Sequence, residues 1–141
     1  MKYVYVLTSN ESDYYTEQAA ISIYSLKRYN PGSHVVVVTD SETYDGLTGG
    51  RGHIKDVADE ILPFALPSDI SQFQKSRYLK TSIRERVQGD FVFIDTDTII
   101  TANIDGLETV EYDMAAAIQQ DMEVCDREHP HFHLKKYTNH N

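Results

Sequence analysis

The chain of 141 residues has a single cysteine, Cys125, no tryptophan, and only 13 Lys and Arg against 22 Asp and Glu. A lone cysteine excludes an internal disulfide, so the fold must rest on packing, as in proteins of the reducing cytoplasm, and Cys125 reads as an ordinary small residue. The net charge of −9, with no basic stripe, argues against nucleic acid as a partner. A phosphorylated ligand would then need the help of a metal ion. No apolar run approaches the ~20 residues of a membrane span, and no basic leader precedes an apolar segment, so no span is expected. What is abundant is tyrosine, 10 residues, whose polar-tipped rings suit half-buried binding surfaces. The length allows one domain with one core.

Residues 2–9 are β-branched and aromatic and stop at the turn formers Asn10 to Asp13, which predicts a first strand and a loop. From Tyr14 to Tyr29 the apolar residues Ala19, Ala20, Ile23, Tyr24 and Leu26 fall at helical spacing, and Asn30-Pro31-Gly32 ends the pattern. His34 to Thr39 contains four successive valines, a run expected of a parallel strand covered on both faces. Ser41 to Leu47 predicts a short helix capped by Ser41, and Gly49-Gly50-Arg51-Gly52 a flexible link that lacks the ending of a phosphate-binding loop. Ala58 to Phe64 predicts a strand that Pro63 places at an edge. Asp69 and Gln72 have capping-box spacing before a helix over 73–87, where Phe73, Tyr78, Leu79, Ile83 and Val87 alternate with Lys75, Arg77, Lys80, Arg84 and Arg86. That helix holds five of the 13 basic residues and is the one locally basic element. Residues 102–107 read as a turn, 113–119 as a further strand, and the last 20 or so as a polar, irregular tail. The order predicts an α/β fold, a doubly wound sheet flanked by helices.

The most informative segment is Phe91-Val-Phe-Ile-Asp95-Thr-Asp97, an apolar run that ends in two carboxylates one residue apart. On an extended backbone Asp95 and Asp97 project to one side with Cα atoms roughly 6.5 Å apart. Two anions so close repel unless a cation lies between them, and oxygen donors favour hard ions such as Mg²⁺, which commonly shares its shell with a substrate's phosphates. A bare Asp-x-Asp is also an ordinary turn after a strand. The apolar residues before the pair and Thr98-Ile99-Ile100-Thr101 after it favour a strand end opening onto a cleft, where α/β sheets bind ligands.

Three segments resemble the GT-A glycosyltransferases, most nearly the retaining nucleotide-sugar transferases of family 8. They are Tyr5 to Asn10 with Tyr14-Tyr15 and the helix carrying Ala20 to Leu26, then Lys75-Ser-Arg77-Tyr-Leu-Lys80, then Phe91 to Ile100 with Asn103 to Leu107. The resemblance covers about residues 3–119 and implies a three-layer, Rossmann-like, mostly parallel sheet. It implies a donor-binding domain over 1–120 followed by a tail over 121–141, with the acceptor half absent from these residues. It further implies that Asp95 and Asp97 hold Mn²⁺ or Mg²⁺ against the diphosphate of a nucleotide sugar, most readily a UDP-sugar. Thr8 and Asn10 would face uracil and ribose with Tyr15 nearby, Arg77 would reach the donor's sugar or phosphates, and Gln119 stands where relatives often carry a sugar-facing carboxylate. The acceptor, whether sugar, lipid or protein, is not specified.

Two other readings stand beside this one. A truncated relative would bind the nucleotide sugar without turning it over. A phosphohydrolase of the haloacid dehalogenase type would use the first Asp as nucleophile and the second as acid/base, but that pattern prefers Thr or Val where this chain has Ile99 and sits on the first strand. His129, His131 and His133 alternate in the tail and read as solvated residues rather than a ligand set. A half-domain exposes apolar surface, so self-association is expected.

Overall fold

The computed structural model of the protein describes residues 1–111, 114–117 and 134–136. Two compact units divide the chain, Met1–Glu108 and Thr109–Asn141. In the first, strand β1 (Lys2–Leu7) leads to helix α1 (Tyr15–Tyr29) and strand β2 (His34–Asp40). Short helices α2 (Ser41–Asp45) and α3 (Ile54–Val57), with a 3₁₀ helix Gly49–His53 between them, lead to β3 (Glu60–Phe64). Then come α4 (Gln72–Thr81), α5 (Ile83–Arg86) and β4 (Phe91–Phe93).

The four strands form one all-parallel sheet in the order β3-β2-β1-β4. The period-two alternation of strands sorts the core into two layers. Tyr3, Tyr5, Leu7, Val35 and Val37 pack on one side with Ala19, Ile23 and Leu26 of α1 and Ile54 of α3. Val4, Val6, Val36 and Val38 pack on the other with Leu79 of α4 and Val87. Helices thus cover both faces, as the four valines, all fully buried, predict. β3 lies at the edge, as Pro63 requires, because proline has no N–H to give a further strand.

The chain moves outward from β1 to β2 to β3, then crosses to the far side of β1 for β4. Right-handed crossovers taken in opposite directions put α1 and α4 on opposite faces. The reversal lies between β1 and β4, and there the strands' carboxyl ends diverge. β4 pairs with β1 through Lys2–Val4, so among the described residues the last ones of β1 have no strand partner on that side. A crevice follows from topology alone.

Several local expectations need correction. α2 is capped not by Ser41 but by Asp40, whose carboxylate accepts the Thr43 N–H at 3.2 Å. The capping box of α4 is Ser71 with Gln74, which has the same spacing as Asp69 with Gln72 and sits where the backbone enters the helix. The helix over 73–87 is two helices broken at Ser82, whose Oγ donates to the Tyr78 carbonyl at 2.7 Å. Phe73, Tyr78 and Tyr24 are exposed rather than core residues. The glycine-rich stretch is not a free link: Gly49–His53 is helical, and Arg51 ties it to Gly46, Ser9 and Thr16.

In the second unit, Ala115–Ala117 (β5) pairs antiparallel with Leu134–Lys136 (β6) in a separate two-stranded sheet. The strand expected over 113–119 is therefore not a member of the main sheet, and the tail contains a strand. Cys125, Gln119 and the histidines at 129, 131 and 133 lie outside the described residues. Among the described residues no helix is long and apolar enough to cross a membrane.

Candidate functional site

A cleft of about 730 Å³ opens at the carboxyl ends of β1 and β4, within the size range of small-molecule sites. Val6, Leu7 and Thr8 supply the end of β1, and Tyr15 and Gln18 the first turns of α1. Gln72, Phe73, Ser76, Arg77 and Lys80 supply one stripe of α4, and Asp95, Thr96 and Asp97 the segment after β4. Residues at 73, 76, 77 and 80 share a helix face because of the 3.6-residue period. That is why this helix, rather than a loop, can present several polar groups to one cavity.

The carboxylate pair leaves the strand before it can alternate. β4 ends at Phe93, the Ile94 N–H still bonds to the Val4 carbonyl at 2.9 Å, and the Thr98 N–H then closes a turn on the Asp95 carbonyl at 3.1 Å. The extended geometry expected for Asp95 and Asp97 is corrected accordingly, and both residues are exposed in the cleft. Lys80 Nζ lies 2.5 Å from Asp95 Oδ1. The Asp97 carboxylate has no hydrogen bond or ion pair among the described residues. Arg77 is exposed, its guanidinium 5.2 Å from the centre of the Phe73 ring, and it makes no ion pair among them.

The opposite lip is built by a polar network around Asp13. Asp13 accepts from Ser9 Oγ at 2.6 Å, from Gln72 Nε2 at 2.8 Å, and from the N–H groups of Asn10 and Tyr15. Partial burial pushes its carboxyl up, but these four donors outweigh burial and hold it below the ordinary carboxylate value. Gln72 also donates to the Thr8 carbonyl at 2.8 Å and accepts from Asn10 Nδ2 at 2.6 Å. Ser9 Oγ, its proton given to Asp13, accepts from Thr16 Oγ1 at 2.9 Å and from Arg51 Nη2 at 2.8 Å. One glutamine thus joins α4 to the loop after β1, and one arginine joins the 3₁₀ helix to it.

Beneath α4, Lys75 is buried, 2.5 Å from Glu42 Oε2 and 3.8 Å from Asp40 Oδ1. The hydrogen bond to Glu42, against some desolvation, raises its pKa above the ordinary lysine value, and Asp40 adds to the rise. Asp40 is buried too and accepts the Thr43 hydroxyl at 2.6 Å. This ion pair fixes the height of α4 on the sheet.

Of the residues singled out in the sequence, Thr8, Tyr15, Arg77, Asp95 and Asp97 line one cleft. Asn10 is on the loop, its amide engaged by Gln72 and Ser12, and is not part of the cleft wall. Gln119 lies outside the described residues. Gln72, Phe73 and Lys80 are cleft residues whose role the sequence did not disclose, although the helical spacing of Phe73 and Lys80 with Arg77 was a usable signal. Ser9 and Arg51 had none, since their contact spans 42 positions of chain.

No group of three or more His, Cys, Asp or Glu side chains able to hold a metal is found among the described residues. Two carboxylates in an open cleft nevertheless suit a hard ion that completes its shell with water and a ligand's phosphates, the usual manner for Mg²⁺. No protein-family model matches the chain, and no curated protein matches it in sequence.

Proposed function

We propose that the protein is the donor-binding part of a glycosyltransferase of GT-A type, similar to family 8, and that its cleft takes a nucleotide sugar, most readily a UDP-sugar. The observation that carries this reading is the placement of Asp95 and Asp97 at the β1/β4 reversal point, in one cleft with Arg77, Lys80 and Tyr15. Such a crevice is where open α/β sheets bind nucleotides, and the mixture of carboxylates and cations suits a metal–diphosphate pair rather than a neutral ligand.

In this reading Asp95 and Asp97 hold Mn²⁺ or Mg²⁺, which when bound supplies Lewis-acid stabilisation of the departing diphosphate. Arg77, whose guanidinium lies 5.2 Å from the centre of the Phe73 ring, offers a planar fork of donors to phosphate or sugar oxygens. Thr8 and Tyr15 line the nucleoside side. Asn10 acts there only after releasing Gln72, or else holds the loop for Thr8. The acceptor is a sugar, lipid or protein group whose contacts lie elsewhere.

The test is calorimetric titration of UDP, with GDP as control, in Mn²⁺ and again in EDTA, followed by an assay for UDP-sugar turnover. Metal-dependent UDP binding is the expected result, and turnover separates a transferase from a domain that only binds. Absence of UDP binding with Mn²⁺ present refutes the reading.

A further inference from the structure

Four charged side chains line the cleft, Arg77, Lys80, Asp95 and Asp97, and their formal charges sum to zero. Two of the four already neutralise each other, because Lys80 Nζ lies on Asp95 Oδ1 at 2.5 Å. A divalent ion that binds both carboxylates shares Asp95 with the Lys80 ammonium, and without an anion it leaves the cleft with two excess positive charges. A diphosphate esterified at both ends brings two negative charges, and free UDP brings one more, to a cleft whose lysine is engaged. The two together restore neutrality and give every charged group a partner.

We infer that Lys80 is a built-in counter-cation for Asp95 that transfers to the diphosphate when a divalent ion enters, so that ion and diphosphate bind as a pair. This rests on the function proposed above and adds the coupling between ion and diphosphate and the residue that carries it. Lysine is well suited to such a transfer, because its ammonium is a point charge on a flexible stem, free to move between neighbouring anions without displacing the helix. Lys80 and Asp95 are 38% and 52% exposed, which leaves the pair accessible to an incoming ion and weak enough to exchange. The Lys80 ammonium also lies 5.6 Å from the centre of the Phe93 ring, which holds it beside the cleft.

The experiment measures free Mn²⁺ by electron paramagnetic resonance during titration of the full chain, with and without UDP, for wild type, Lys80→Gln and Lys80→Arg. Calorimetry of UDP in EDTA completes the cycle. Without UDP, Lys80→Gln is expected to bind Mn²⁺ about fivefold more tightly than wild type, the value of an exposed ion pair. It should bind UDP more weakly in EDTA, and the factor by which UDP tightens Mn²⁺ should fall. Lys80→Arg keeps the charge and should keep wild-type Mn²⁺ affinity, which also covers the case of a glutamine variant that folds poorly. An unchanged or weaker Mn²⁺ affinity in folded Lys80→Gln, or an unchanged coupling factor, overturns the inference while leaving the site in place. Failure of all three proteins to bind Mn²⁺ with UDP present overturns the proposed site itself, and this inference with it.

Discussion

Replacing Lys75 by Met should loosen the helix that carries Arg77 and Lys80. Breaking a buried ion pair by removing one partner typically costs about 3–5 kcal/mol. Here Asp40 keeps two hydrogen bonds from Thr43, and Glu42, whose side chain is 69% exposed, is free to turn to water. The expected loss is therefore smaller, about 2–3 kcal/mol, or about 10 °C in melting temperature for a domain of roughly 110 residues. Urea denaturation followed by circular dichroism measures it directly. Asp40→Asn and the double variant complete a cycle, in which the double variant should be less destabilised than the sum because neither charge is left alone. Since the Lys75 pKa is raised in the fold, its contribution is fully present below the ordinary lysine value of 10.5 and fades as pH rises through the higher folded value. A cost under about 0.5 kcal/mol for Lys75→Met would refute the idea that this pair anchors α4.

Gln72→Ala removes hydrogen bonds to Thr8, Asn10 and Asp13 together, and should cost about 1–2 kcal/mol in denaturation experiments while weakening UDP severalfold, because the loop after β1 loses its tie to α4. The Asp13 carboxyl lies below its ordinary value of 3.8, so its stabilisation is present above that value and lost as pH falls through the folded one. Asp13→Asn should therefore be less stable than wild type at neutral pH, with the gap closing on acidification; a gap that widens in acid would contradict this assignment.

Much of the sheet could be read in the chain because its signals are local. Four consecutive valines require cover on both faces, Pro63 requires an edge, and the helix before Asn30-Pro31-Gly32 repeats its small and apolar residues at helical spacing. Where two motifs compete at the same spacing, as Asp69 with Gln72 against Ser71 with Gln74, sequence alone does not rank them. At Asp95 and Asp97 the sequence left a strand end and a turn both open, and the turn prevails because strand β4 ends where its hydrogen bonds to β1 end. The engagement of Asp95 by Lys80 and of Ser9 by Arg51 joins residues 15 and 42 positions apart, and no local pattern encodes either. The separate pairing of Ala115–Ala117 with Leu134–Lys136 was illegible for the same reason.

The most direct test of the central claim is anomalous diffraction at the manganese edge from crystals grown with UDP and Mn²⁺. One strong peak is expected at the Asp95 and Asp97 carboxylates, beside the diphosphate, with Lys80 turned from Asp95 toward phosphate oxygen. A diphosphate bound in the cleft with no manganese at the pair, or UDP bound away from β1 and β4, would contradict it.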